Sequence, residues 1–169
     1  GISSIVNGGC FAVTGRLVLE VVDCMFFGCG TSGMGGCIYA ELSEMFVSRR
    51  NCFWRCVSET QTHTFRCDCP KSSVDLNSLH LCAPNQIGAF GSYCILNSNA
   101  FVSSVNCSSC QVWAHGPGGY FIESNALAEK QNVCNCTGMG VFVIEFCGDS
   151  SIDMINYFGN TQARDGHLY

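Results

Sequence analysis

The sequence predicts an all-β fold, a right-handed parallel β-helix (solenoid) with about 26 residues per coil and five to six coils, forming one segment over residues 1–169. Three observations predict it. Cys29, Cys56, Cys82, Cys110 and Cys136 recur at gaps of 27, 26, 28 and 26 residues, and Asn160 takes the same place 24 residues later. A short Gly-bearing turn and an apolar run follow most beats. Between beats, β-branched and aromatic residues alternate over short runs that Gly, Ser and Asn interrupt, a pattern of strands and turns rather than helices.

Each coil reads as three strands and three corners. The first strand follows the glycines: Cys10-Phe11 after Gly8-Gly9, Cys37-Ile38-Tyr39 after Gly35-Gly36, Tyr93-Cys94-Ile95 after Gly91, Tyr120-Phe121-Ile122 after Gly118-Gly119, and Val141-Phe142-Val143 after Gly140. Glycine suits such points because it accepts a positive φ and close backbone approach. Polar corners come next, at 41–44, Pro70-Lys71, Asn97-Ser98-Asn99, Glu123-Ser124-Asn125 and Cys147-Gly148-Asp149. A second strand alternates apolar and polar, as in Met45-Phe46-Val47 and Ala100-Phe101-Val102, and a third leads to the next beat, as in Cys52-Phe53-Trp54 and Asn156-Tyr157-Phe158. The repeat from Val57 to Leu79 lacks the Gly pair and carries Cys67-Asp68-Cys69-Pro70, and an insertion or bulge is expected within it. Stacking follows the interstrand spacing of about 4.8 Å. Handedness follows from the crossover rule for parallel strands.

Composition narrows the function classes. Charged residues make up 12% of the chain, and the net charge of −5 is diffuse. Eight Lys and Arg, scattered, offer no basic patch for phosphates, so no nucleic-acid partner is expected. No apolar run approaches the roughly 20 residues of a membrane-spanning helix. The chain opens at Gly1 without a basic and apolar leader and closes within a repeat, so it reads as an excerpt of a longer solenoid.

The Phe-x-x-Cys beat of Phe26-Phe27-Gly28-Cys29 and Phe53-Trp54-Arg55-Cys56, followed by Gly35-Gly36-Cys37-Ile38-Tyr39, resembles the repeats of chlamydial polymorphic outer-membrane proteins. Its Cys-rich form is more similar to the large β-helix surface proteins of trichomonad protozoa. The resemblance covers nearly the whole chain and departs from the pattern in placing Cys where Asn is expected. It implies a β-helix rod on a cell surface or in secretion, used in adhesion.

The 15 cysteines are read as columns. The first holds Cys29, Cys56, Cys82, Cys110 and Cys136; the second Cys10, Cys37, Cys67 and Cys94; the third Cys24, Cys52, Cys107 and Cys134. Three readings stand side by side. Stacked buried thiols fill the coil as small hydrophobes. In-register neighbours also fall within disulfide reach. Cys67-x-Cys69, Cys134-x-Cys136 and His80-x-Cys82 each offer two metal ligands, short of the four of a structural zinc site. Asn106-Cys107-Ser108 and Asn135-Cys136-Thr137 are N-glycosylation sequons and agree with a secretory route.

Catalytic chemistry finds little support. A glycosidase needs two carboxylates facing one sugar. The candidates, Asp149, Asp153 and Asp165, Asp75, and Glu41 with Glu44, read as solvated corner groups. His63, His80, His115 and His167 are scattered, and nothing selects a pair such as Cys82 with His115. Phe26, Phe53 and Phe101 are expected in interior stacks, whereas Trp54, Trp113 and Tyr120 are the candidates for a platform that takes a sugar or a partner. The expectation is therefore a non-enzymatic rod without catalytic, cofactor or metal residues. Its partners would be other protein chains, surface glycans and neighbouring coils, and its place extracellular or at the cell surface. The alternatives are an intracellular scaffold with reduced cysteines and a carbohydrate-active lyase or hydrolase.

Overall fold

The computed structural model describes the chain except residues 1, 2, 5, 6, 16, 61, 83–90, 113–115, 139–141, 146 and 163–169, and gives no side-chain placement for 3, 4, 62, 63 and 162. The described residues contain no helix. They wind into a β-solenoid whose successive coils lie about 27 residues apart, and every strand pairs in parallel with its equivalents one coil before and after. The first sheet stacks Phe11–Thr14, Ile38–Glu41, Thr62–Asp68, Gly91–Leu96, Gly119–Ile122 and Phe142–Glu145. The second stacks Val18–Val22, Met45–Arg49, Lys71–Asp75, Asn99–Ser103, Asn125–Glu129 and Ser151–Asp153. The third stacks Met25–Phe27, Cys52–Trp54, Ser78–His80, Asn106–Ser108, Asn132–Cys134 and Asn156–Phe158. Short pairings at each end, such as Gly30–Thr31 with Val57–Ser58 and Thr137–Gly138 with Thr161–Gln162, extend the wall.

Period-2 alternation decides what fills the bore. Phe26, Phe53, Leu79, Cys107 and Val133 share one inward register position of the third sheet and are all buried. Ile38, Phe65 and Tyr93 do the same on the first sheet, and Ala40, Cys67, Ile95 and Phe121 share the next inward position. Rings stack directly along the axis: Phe26 on Phe53 at 4.9 Å and Phe65 on Tyr93 at 5.2 Å. Each such ring contributes roughly 1.5–3 kcal/mol by leaving water. Phe101 breaks the expectation of an interior stack. It lies in the outward column of the second sheet, in register with Leu127, and is 40% exposed. Its parity sets it outside, because Ala100 and Val102 on either side take the inward positions.

The corners depend on left-handed backbone more than on glycine. Thirteen non-Gly residues have φ between 48° and 56°, and they stand one after another along three edges. Leu42, Asn97 and Glu123 follow the first sheet; Asp23, Arg50, Leu76, Ser104, Lys130 and Met154 follow the second; Arg55, Leu81, Ser109 and Asn135 follow the third. Only three of the thirteen are Asp or Asn, so side-chain preference does not account for the geometry. Each such residue costs about 1–2 kcal/mol in isolation. The ladder offsets this, since the left-handed residue's N–H donates to a carbonyl of the next coil, as Arg50 does to Asp75 at 3.1 Å and Arg55 to His80 at 3.1 Å. Glycine is required only where carbonyls crowd in: a Cβ on Gly35, at φ +66°, would sit 2.2 Å from the Ile38 carbonyl oxygen.

The irregularity expected within the repeat from Val57 to Leu79 is present. The register shift falls between Thr62 and Phe65, where three residues oppose two of the next coil. Cys67 and Asp68 are already back in register with Ile95 and Leu96. Phe53→Ala is expected to destabilise the rod by about 3–5 kcal/mol, because it empties a buried site between two rings. Phe101→Ala should cost under about 1 kcal/mol. Urea denaturation of the two variants checks the ranking.

Candidate functional site

After most left-handed corners the next residue turns into the bore and carries a polar group (Val105 and Ile155 are apolar, and Cys24 is exposed), and many of these groups bond by one rule. The side chain donates to the carbonyl three residues before the equivalent corner of the preceding coil. After the second sheet, Asn51 Nδ2 donates to Val21 O at 2.7 Å, Asn77 Nδ2 to Ser48 O at 2.9 Å and Gln131 Nε2 to Val102 O at 3.2 Å. After the third sheet the cysteines do it: Cys82 Sγ to Phe53 O at 3.4 Å, Cys110 Sγ to Leu79 O at 3.7 Å and Cys136 Sγ to Cys107 O at 3.7 Å. Asn160 Nδ2, donating to Val133 O at 2.9 Å, ends that series. After the first sheet Ser124 Oγ and Cys147 Sγ bond to Ile95 O and Phe121 O in the same way.

The same side chains also accept from the neighbouring coil. The Asn51 N–H donates to Asn77 Oδ1 at 2.9 Å, the Cys136 N–H to Asn160 Oδ1 at 2.8 Å and the Cys110 N–H to Cys136 Sγ at 3.3 Å. A buried backbone N–H that the strand ladder cannot serve is satisfied at each of these corners. Cysteine thus takes the role of the amide, with a weaker and longer bond.

The thiols also meet one another. Cys37, Cys56, Cys82, Cys110 and Cys136 form a continuous run of interacting thiols along the axis. Burial drives the Cys37 and Cys82 thiols well up. The adjacent Cys37 and Cys82 thiols pull Cys56 down, and those of Cys136 and Cys82 pull Cys110 down. At the first coils, Cys10 and Cys29 are disulfide-bonded across 19 residues with Cα atoms 6.1 Å apart. The Sγ atoms of Cys10, Cys29 and Cys37 all lie within 4.8 Å of one another. The disulfide joins two corners of one coil and is not a rung-to-rung bridge.

The other two cysteine columns do not exist as columns. Cys37 is preceded by Cys10, yet the next coils place Thr64 and Ser92 there, since Ile38 pairs with Phe65 and Phe65 with Tyr93. Cys67 falls in register with Ala40 and Ile95 in the bore. Cys94 is in register with Tyr120, in a small cluster with Leu96 outside the main core. Cys24, Cys52, Cys107 and Cys134 occupy four different positions: beside Asn51, opposite Met25, opposite Leu79 and opposite Ser108. A shift of one residue changes the face of a strand, and this separates them.

Two of the expected ligand pairs fail for a related reason. His80 and Cys134 lie in register in the outer row, whereas Cys82 and Cys136 turn inward, because the left-handed Leu81 and Asn135 intervene. Cys67 and Cys69 do meet, and Cys67 Sγ lies 3.0 Å from Ser72 Oγ.

The outer side of the third sheet carries two parallel rows. Phe27, Trp54, His80, Ser108, Cys134 and Phe158 stand in register in one row. Phe27 meets Trp54 edge-on at 5.4 Å, Trp54 meets His80 at 6.0 Å, and His80 Nδ1 is 2.7 Å from Ser108 Oγ. Beside it Ser78, Asn106, Asn132 and Asn156 form an amide row, with Asn132 Nδ2 donating to Asn106 Oδ1 at 2.6 Å and Asn156 Nδ2 to Asn132 Oδ1 at 2.9 Å. Trp54 is 40% exposed, whereas Tyr120 is 2% exposed and its hydroxyl donates to Glu145. Tyr120 therefore leaves the expected platform; Trp113 lies outside the described residues. Asn106 and Asn135 are both exposed, the first within the amide row and the second at a corner with φ 52°.

The carboxylates are spread along the wall. Asp75, Ser103, Glu129 and Asp153 share a register position on the second sheet, with Ser103 Oγ donating to Glu129 at 3.4 Å. Asp149 lines an open groove of about 590 Å³ with Asn99, Phe101, Asn125 and Leu127, which Asp153 does not line. Glu44 and Asp68 line another, of about 430 Å³, where Asn97 Nδ2 donates to Asp68 at 2.9 Å. Glu41 is in register with Asp68. The Asp165, His115 and His167 positions, and the His63 side chain, lie outside the description. Cys82 has its thiol committed to the ladder.

Comparison with protein-family models, with curated proteins and with solved structures finds no match. No helix of the described residues is long and apolar enough to cross a membrane.

Two outcomes follow for the ladders. Asn77→Ala strands the Asn51 N–H and Ser48 carbonyl in the bore and is expected to cost about 1–3 kcal/mol, read by urea denaturation. Burial also pushes the Cys94 thiol up to about 12 from 9.0. The folded state then holds its proton where the unfolded chain releases one, so stability is full below pH 9 and falls as pH rises from 9 towards 12. The denaturation midpoint should drop over that window, and Cys94→Ala should flatten the drop by up to one proton, about 1.4 kcal/mol per pH unit.

Proposed function

We propose that this chain is a non-catalytic binding rod of a cell surface or secreted protein, with the outer side of the third sheet as its contact face. The observation that carries the reading is an outer face on which the rings of Phe27, Trp54 and His80 in the first three coils are continued by the amides of Asn106, Asn132 and Asn156 in the following ones. Flat exposed rings suit the apolar side of a sugar or of a partner's surface, and the amides suit its hydroxyls or backbone. Rings and then amides run over successive coils, which favours an extended ligand. The net charge of −5 argues against an anionic polymer as that ligand. The Cys10–Cys29 disulfide and the exposed sequon residues support an oxidising location.

The purified segment, screened against arrayed glycans and intact cells, should bind a neutral glycan or surface protein. Trp54→Ala should weaken that binding at least about tenfold, the loss of a well-packed aromatic contact, while leaving the denaturation midpoint near wild type. Binding that ignores Trp54 would overturn the contact face. Turnover of an acidic polysaccharide that is lost in Asp68→Asn or Glu44→Gln would overturn the non-catalytic reading. A native protein with every thiol free and bare asparagines would overturn the location.

A further inference from the structure

We propose that the reduced protein holds a single soft d10 metal cation, of the Cu(I) or Zn(II) type, on the thiolates of Cys10, Cys29 and Cys37 at the first two coils. The three sulfurs lie within 4.8 Å of one another. Around a cation with a metal–sulfur bond of about 2.3 Å, thiolates stand about 3.8 Å apart, a separation that side-chain rotation reaches once the Cys10–Cys29 bond is opened. Thiolates select soft cations over Ca(II) or Mg(II).

The backbone builds this cluster. Each of the three cysteines is next to a glycine: Gly9 before Cys10, Gly30 after Cys29, Gly36 before Cys37. These glycines pack against one another so closely that a Cβ on Gly9 would sit 2.3 Å from the Gly36 carbonyl oxygen and 2.8 Å from the Gly30 nitrogen. Nowhere else among the described residues do three side chains of His, Cys, Asp or Glu type converge in this way. Cys29 and Cys37 are buried and fix two ligands, while Cys10 is only partly buried and gives the cation its way in. Three sulfurs complete a trigonal Cu(I) site, whereas Zn(II) takes a water as its fourth ligand.

Metal and disulfide exclude each other, because both use the sulfurs of Cys10 and Cys29. Opening the disulfide takes two electrons and two protons from an external dithiol, which leaves as its own disulfide. The cation then displaces the protons from the three thiols.

The test uses the wild-type protein, reduced by an excess of dithiol, desalted without oxygen and titrated with Cu(I) or Zn(II) against a chromophoric competing chelator. One equivalent of one cation is expected, with Cys10, Cys29 and Cys37 protected from alkylation in peptide mapping. Cys37→Ser, which keeps the disulfide pair, should lower the affinity at least about 100-fold, and Cys94→Ser should leave it unchanged. The disulfide form should take up no cation at these residues. Uptake by neither ion would overturn the proposal, as would equal uptake by the Cys37→Ser variant or protection that maps to the Cys56 to Cys136 series. Protection mapping on wild-type protein decides the matter even if Cys37→Ser fails to fold.

Discussion

The hydrogen bond from an inward corner side chain to the coil before it is the constraint on which the rest of the rod depends. A strand ladder serves its own N–H and C=O groups, but it ends where the chain turns. At most of these turns a left-handed residue aims the next side chain into the bore. Where that side chain is polar it supplies a donor and an acceptor to buried backbone groups, which would otherwise be left unpaired. Asn51 and Asn77 do this with an amide, Ser124 with a hydroxyl, and Cys82, Cys110 and Cys136 with a thiol. The chemistry varies while the geometry does not, and the regular offset of three residues is the signature of one solution used on three edges.

The choice of sulfur at one edge has consequences that amides would not bring. A thiol bonds more weakly than an amide, but it packs as a small hydrophobe against Phe26, Phe53 and Leu79, whose positions adjoin it. Stacked at every coil, the thiols of this corner series shift one another's titration along the axis. Burial protects the series from oxidants, and at the first coils, where Cys10 is partly exposed, it meets the disulfide. Other thiols, Cys24, Cys52 and Cys134, stand at least partly exposed on the wall.

The column Cys29, Cys56, Cys82, Cys110, Cys136 was legible because a corner residue is set by the coil length alone, and small insertions elsewhere do not change its direction. Strand residues are less forgiving. Cys37 and Cys67 look equivalent in spacing, but the extra residue between Thr62 and Phe65 and a displacement of the alignment put Thr64 where Cys67 was expected. Phe101 was misplaced by strand parity, since a large apolar side chain carries no mark of the face it occupies, whereas Tyr120 stands on the outer side but is covered there by Cys94, Leu96 and Glu145. The Asn51–Asn77 ladder is not marked in the same way, though each residue stands two before a buried apolar residue of the third strand, Phe53 or Leu79, because the series is broken at Val105. The row Phe27, Trp54, His80 could not be read at all, as neither ring contact nor register is visible before the strands are aligned.

The sequence by itself determined the solenoid, its coil length and the place of one corner, because at the turn after the third sheet a sulfur-bearing or amide group recurs once per coil. Only the tertiary structure decided which side chains share a row, which cysteines meet, and which aromatic groups face outward. Those follow from register, and register is set by pairing between coils that lie about 27 residues apart in the chain. A single-residue slip in that pairing exchanges the bore for the surface.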